Sequence, residues 1–310
     1  MLFQSRFGSR RAYTVVCLAR HGIGPEVMAE ASRALTAVSL QHGFHVDERH
    51  VPFGADALTR FGRSFPLSSR SALLEADAVL VAAKSDAALT ALEADLDLRT
   101  SISRVRYEGR AELSILAPLG AEAWEWTLDR AFTLARESRG RITLVGVDES
   151  WAHETARLER QHDSLEIDRL TPQDAMRSLI FNPERFDVVV CAPELARTAV
   201  EVAASLADGR TVAWGRLAPT APSIFGPAHG VADSLAGQGV ADPSSMLLAA
   251  ALMLAEGLGE RSGAATLSGA VGRAGDGARR PSTRGHADLV LSQLPVTAAN
   301  AEFYREAACG

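Results

Sequence analysis

Short apolar runs recur along this chain, separated by longer amphipathic stretches, and that alternation limits the possible folds more than any single motif. A run of four to six apolar residues suits a buried strand, and the stretches between carry helical periodicity, so the pattern is that of βα units. Strands are predicted at residues 14–18, 46–51, 78–82, 113–116, 142–147 and 186–190. Helices are predicted from the turn Gly22-Ile23-Gly24-Pro25-Glu26 through about residue 40, and at 67–76, 121–138, 172–181 and 194–206. Pro25 suits a first helical position, and Glu26 complements the positive helix end. Asp242 and Pro243 are read as the N-cap and first turn of an apolar helix reaching about residue 258. Residues 257–285 are rich in Gly, Ala, Ser and Arg and read as a marginal surface helix and a flexible loop. The expectation is a two-layer α/β protein with no internal repeat and no linker that separates two domains.

Composition narrows the classes. A formal net charge of −6 argues against a nucleic-acid or anionic-membrane surface, and the basic clusters at residues 104–110 and 279–280 read as solvated faces or loops. The three cysteines, Cys17, Cys191 and Cys309, show no paired spacing, so a reducing, cytoplasmic setting is expected. No apolar run reaches spanning length, and the start, MLFQSRFGSRRAY, lacks an apolar core of the secretory type. His42, His45 and His50 could form a metal cluster, but they lie across a helix end and a strand start, where exposed side chains are the commoner reading.

Several segments resemble, in order, the isopropylmalate/isocitrate dehydrogenase family. They are Gly-Ile-Gly-Pro-Glu-Val at 22–27, Pro52-Phe53-Gly54-Ala55 with Phe61-Gly62 and Phe65-Pro66, and residues 182–190. The longest is His229-Gly230-Val231-Ala232-Asp233-Ser234-Leu235-Ala236-Gly237-Gln238-Gly239-Val240-Ala241-Asp242-Pro243. The resemblance implies a two-domain α/β fold, with a discontinuous large domain (1–98 and 215–310) and a central dimerisation and substrate domain (99–214). It also implies oxidation of a 2-hydroxy acid by NAD or NADP followed by decarboxylation, and a homodimer or a heteromer with a paralogous subunit. The GxGxxG dinucleotide fingerprint is absent.

That chemistry needs a divalent metal, Mg or Mn, to polarise oxygen, arginines to clamp carboxylates, and a Lys and Tyr for proton transfer. The family's two helical aspartates align with Arg197 and Glu201, and its third with Gln173 or Asp174. A guanidinium about 4 Å from a divalent ion is repelled by several kcal/mol. Arg197 and Glu201 read instead as a helix-surface ion pair, and no metal ligands are expected. The lysine aligns with Glu149, and the tyrosine has no counterpart, because after Leu116-Ala117-Pro118-Leu119-Gly120 the chain runs into a helix and the clasping arm is shortened. Of the arginines, Arg99 could correspond to one; the others fall at Ala117 and Leu89, with Arg104 and Arg106 near enough to substitute. Arg99, Glu149 and Asp174 are thus the weak catalytic candidates.

The cofactor loop fares better. The resemblance implies that Ile23, His229, Gly230, Ala232, Asp233, Ser234, Leu235 and Asp242 hold the adenosine half of NAD. Ser234 stands where an acidic residue would bind the ribose, with Asp233 beside it. Local readings compete: His229 as a turn residue, Asp242 as an N-cap, the glycines as turn formers. Three functions follow: a divergent family member that keeps nucleotide binding or a regulatory-subunit role, an active NAD-dependent 2-hydroxy-acid dehydrogenase with rearranged residues (candidates Asp148, Glu149, Asp174 and Arg99), or a structural interaction protein.

Overall fold

The computed structural model describes residues 11–19, 22–83, 89–90, 93, 96–107, 112–146, 149–207, 212–220, 222–274 and 282–296. The start of the chain, Arg110, Asp148, Arg279, Arg280 and Cys309, all considered above, lie outside these residues.

Ten strands form one sheet in the order β2-β1-β3-β10-β9-β4-β5-β8-β6-β7. They are β1 (Arg11–Leu18), β2 (Phe44–His50), β3 (Ala78–Val81), β4 (Thr100–Arg106), β5 (Glu112–Pro118), β6 (Arg141–Val145), β7 (Glu166–Leu170), β8 (Val188–Val190), β9 (Val212–Leu217) and β10 (Ser223–Pro227). The two outer groups, β2-β1-β3-β10 and β5-β8-β6-β7, are parallel, and β9 and β4 join them through antiparallel pairs. The helices are α1 (Gly24–His42), α2 (Gly54–Phe61), α3 (Leu67–Leu74), α4 (Trp124–Glu137), α5 (Glu149–Gln161), α6 (Pro172–Phe181), α7 (Pro193–Leu206), α8 (Ser244–Leu252), α9 (Arg261–Ala274) and α10 (Thr283–Ser292).

Helices cover both faces, so the protein has three layers rather than the expected two. The pleat explains this: Val15 and Cys17 pack with α1 and α8, whereas Val16 and Leu18 pack with Leu73 of α3. Likewise Ile102 and Leu116 join the α1/α4/α8 side, while Val105, Leu113 and Ile115 pack against α6 and α7. Central strands buried on both faces are uniformly apolar. That is why Ala78–Val81 and Val188–Val190 are readable as strands from sequence.

All six predicted strands are present, and α1 opens with Pro in its first turn as expected. The strands β4, β7, β9 and β10 and the helices α2 and α10 were not anticipated. Residues 261–274 form a helix whose Leu267, Ala270 and Val271 are buried, so this segment belongs to the core rather than the surface. The apolar helix predicted to residue 258 is α8, which continues as a single π-helical stretch, Met253–Gly257. After β5, Gly120 takes a φ of 130° and the chain passes through a short 3-10 turn straight into α4, with no intervening arm. No described helix is long and apolar enough to cross a membrane.

Candidate functional site

The loop from His229 to Asp242 leaves the end of β10 and folds against the β1–α1 turn. The Ile23 backbone N–H donates to the Val231 carbonyl at 2.9 Å. Gly22 has a φ of 72°, and a Cβ there would stand 2.0 Å from that carbonyl oxygen, so only glycine lets the two backbones meet. Ala232 accepts a φ of 45°, the one positive value at a described non-glycine residue. Such a conformation costs about 1–3 kcal/mol and persists where the surroundings over-determine it. The strained corner turns the chain into a 3-10 segment, Asp233–Leu235, that presents Asp233, Ser234 and Leu235 to solvent.

His229 sits beneath this corner. Its Nδ1 lies 3.0 Å from the Gly230 carbonyl, while its buried Nε2 has no hydrogen-bond partner. Burial pushes the imidazole below its ordinary pKa, against the opposing pull of the Gly230 carbonyl and Asp242, so the ring is neutral at pH 7. Asp242 accepts the Ser244 N–H at 2.9 Å, but the helix starts at Ser244 with Pro243 as its N-cap, so Asp242 closes a turn one residue before the cap instead of being the expected N-cap. Ser244 Oγ in turn meets His286 Nε2 at 3.1 Å, and the Thr283 N–H donates to the Gly239 carbonyl at 2.7 Å. The loop is thereby tied to α1 on one side and α10 on the other.

Arg99 and Asp174, the two catalytic candidates with described side chains, each pair with a near neighbour in the chain. Arg99 pairs with its neighbour Asp97 at 2.7 Å. Asp174 belongs to the first turn of α6, where it accepts from the Thr171 hydroxyl at 2.7 Å and lies 3.9 Å from Arg177. Thr171 returns the contact by accepting the Asp174 N–H, so the pair is a helix cap. Glu149 is the first residue of α5, and its side chain lies outside the described residues. Arg197 and Glu201 are both exposed on α7, but no ion pair joins them, contrary to expectation, because an exposed pair gains too little to fix two long side chains. Gln173 is exposed and Leu89 and Ala117 are buried.

Arg104 and Arg106 correct another expectation. Both lie on β4, largely shielded, and neither is a solvated loop residue or free to clamp a substrate. Arg104 donates to Glu256 at 2.9 Å and Arg106 to Glu112 at 2.7 Å. Glu256 stands in the π-helical stretch after α8, 3% exposed, and also accepts from Arg130 of α4. Arg104, Arg106, Glu112 and Glu256, with Arg139, Asp187, Arg261 and Ser268, wall a cavity of about 300 Å³ between α4, α9 and the sheet. Sequence reasoning also missed Arg216, which leaves β9 beside Leu217 and pairs with Glu93 at 2.6 Å. A lone cation inside the apolar run Val-Ala-Trp-Gly-Arg-Leu was the available signal.

A mixed, doubly covered sheet with an ordered loop over the first βα turn defines an open α/β fold. Two solved structures share it: a β-decarboxylating dehydrogenase from Thermococcus kodakarensis (TM-score 0.77, 21% identity, covering 91% of this chain and 96% of that one) and the isocitrate dehydrogenase from Methylococcus capsulatus (TM-score 0.73, 18% identity, 91% and 99%). At these identities the likeness establishes the fold. Among curated relatives, the 3-isopropylmalate dehydrogenases of Prochlorococcus marinus (strain MIT 9313) and Synechococcus sp. (strain CC9605) are each 27% identical, covering 85% and 84% of this chain and 91% and 90% of their own. The family model for isocitrate/isopropylmalate dehydrogenase matches residues 116–284, more than half of the chain. The chain belongs to the isocitrate/isopropylmalate dehydrogenase family, whose members are decarboxylating dehydrogenases.

Proposed function

We propose that this chain is a divergent member of the family that keeps a nucleotide-binding loop while the oxidative decarboxylation itself is impaired or lost. The observation that carries the reading is the state of the metal positions. Arg197 stands one turn before Glu201 on α7, and Asp174 is engaged by Thr171 and lies near Arg177. Hard divalent ions need several free oxygen ligands, and this set offers two carboxylates, one of them bonded to Thr171, beside a cation. The residues do not fit Mg or Mn.

They fit a nucleotide better. The buried, unpartnered Nε2 of His229 is a polar atom awaiting a partner, since such groups are nearly always paired. His229, Gly230 and Ala232 would frame the adenine side, and Asp233 or Ser234 would take the ribose hydroxyls. Ile23, Leu235 and Asp242 would complete the pocket wall. Bound NAD would supply the hydride acceptor of the family reaction. The chain's own part is to hold and orient the adenosine. A polar anchor at Asp233 favours NAD over NADP by repelling a 2′-phosphate.

In this reading the protein acts in the cytoplasm as a homodimer, or as the regulatory partner of a paralogous subunit. Residues 99–214 form the dimerisation domain and residues 1–98 and 215–310 the discontinuous large domain. The later boundary falls inside β9.

Titration calorimetry of NAD⁺ and NADP⁺ into the purified protein, with and without Mg²⁺, tests the proposal. Binding that ignores Mg²⁺, prefers NAD⁺ and weakens at least tenfold in His229→Ala supports it. Mg²⁺-dependent tightening with turnover of malate-like acids would establish the alternative, an active 2-hydroxy-acid dehydrogenase using Arg99, Glu149 and Asp174. No binding of either nucleotide would leave the interaction-protein reading.

A further inference from the structure

We propose that Cys17, Glu48 and His50 form a binding site for a borderline-soft divalent cation, with Zn²⁺ the fitting ion. None of the three residues belongs to the cofactor loop or to the family's metal positions on α6 and α7.

The parallel pairing of β1 with β2 builds it. Register sets Cys17 against His50 and Val15 against Glu48, so these side chains all leave the sheet on the α1 face. Cys17 is the penultimate residue of β1 and His50 the last of β2, which puts the group at the carboxyl ends of parallel strands, where open α/β sheets carry ligands. The donor atoms Sγ, carboxylate oxygen and imidazole nitrogen all lie within 4.8 Å of one another. No other trio of His, Cys, Asp or Glu among the described residues does this.

Glu48 Oε2 accepts the Cys17 thiol at 3.7 Å and stands 3.7 Å from His50 Nε2. The second separation is longer than an N–H···O hydrogen bond, which closes to about 3 Å. In a tetrahedral zinc site, with Zn–S about 2.3 Å and Zn–N or Zn–O about 2.0–2.1 Å, neighbouring donors stand about 3.3–3.6 Å apart. A contraction of a few tenths of an ångström would therefore bring both Glu48 contacts to ligand spacing, with the Cys17–His50 pair already within 4.8 Å. Ser32 of α1 donates its hydroxyl to the same Glu48 oxygen, the kind of outer contact that orients a ligating carboxylate.

The mixed sulfur, nitrogen and oxygen set selects zinc over Mg²⁺ or Ca²⁺, which take oxygen alone. Cys17 is 1% exposed, and burial, reinforced by the nearby Glu48, pushes its thiol far up, so without metal the sulfur keeps its proton. On binding, the Zn–S bond forms and that proton leaves to solvent. His50 is exposed and gives the ion its route in, and a water takes the fourth position.

The test uses the full chain, stripped with chelator and desalted, then equilibrated with Zn²⁺ or with Co²⁺ as a spectroscopic substitute. We expect one retained Zn²⁺ per chain and a thiolate-to-cobalt charge-transfer band. That band should vanish in Cys17→Ser and survive in Cys191→Ser, and His50→Ala should weaken Zn²⁺ binding at least tenfold. Absence of retained metal, or a band that persists in Cys17→Ser, overturns the proposal. Should Cys17→Ser fail to fold, the exposed His50 decides: unchanged Zn²⁺ affinity in His50→Ala overturns it equally.

Discussion

At the scale of single residues, the loop over the first βα turn depends on one missing Cβ. Gly22 combines a positive φ with a backbone carbonyl 2.0 Å from where a methyl would sit. Gly22→Ala therefore forces the Val231 carbonyl away, breaks the Ile23–Val231 hydrogen bond and adds left-handed strain. The expected cost is about 2 kcal/mol or more, seen as a lower urea midpoint, together with loss of nucleotide binding in calorimetry. Unchanged stability and affinity would mean that the loop is not anchored there. The glycine was legible in the sequence as part of a Gly-Ile-Gly-Pro-Glu turn, but its partner was not. Val231 is remote in the chain, and only folding brings the two backbones together. Asp174 and Arg197 show the opposite: alignment placed them at chemically decisive positions, and the structure gives them a cap contact and an exposed helix position. Cys17 and His50 belong to different strands, so no local spacing could have joined them.

Among elements, the π-helical stretch after α8 has a defined task. It carries Glu256 to a point where β4 and α4 each present an arginine, joining three elements through one buried carboxylate. Burial alone would raise the pKa of Glu256, but Arg104 and Arg130 outweigh it and hold the carboxyl below the ordinary range. Glu112 is held down in the same way by Arg104 and Arg106. A depressed folded-state value stabilises the fold above the unfolded pKa of about 4.3, and that contribution is lost as pH falls through the lower native value. Glu256→Gln strands two arginines and should cost about 3–5 kcal/mol at pH 7, read as a urea midpoint shift that narrows below about pH 4. A gap that stays constant in acid would show that packing, not charge, sets the loss. The strands β9 and β10 escaped sequence reading for a physical reason. Gly215 and Gly226 resemble strand breakers, yet a Cβ at the first would meet the Phe225 ring at 2.9 Å and at the second Val81 at 2.6 Å. The glycines make room for packing. Arg104 was misread because its acidic partner Glu256 lies far along the chain, and Arg106 because its partner Glu112 faces it only once β4 pairs with β5.

For the whole molecule, the sheet leaves α6 and α7 with apolar side chains in solvent. Phe181 is 79% exposed and Ile180 50%. If a second copy covers this face in the proposed dimer, light scattering should give twice the chain mass, and Phe181→Asp should return it to one. A monomeric wild type would refute that arrangement. The sheet order has one more consequence, for the timing of synthesis. β3 gains its second neighbour only from β10, whose residues 223–227 leave the ribosome after most of the chain. Until then the edge of Ala78–Val81 waits open, a template for pairing with any other nascent strand. The protein is thus a late folder by design of its topology, and its hazard in the cell falls in the interval before the final third is made.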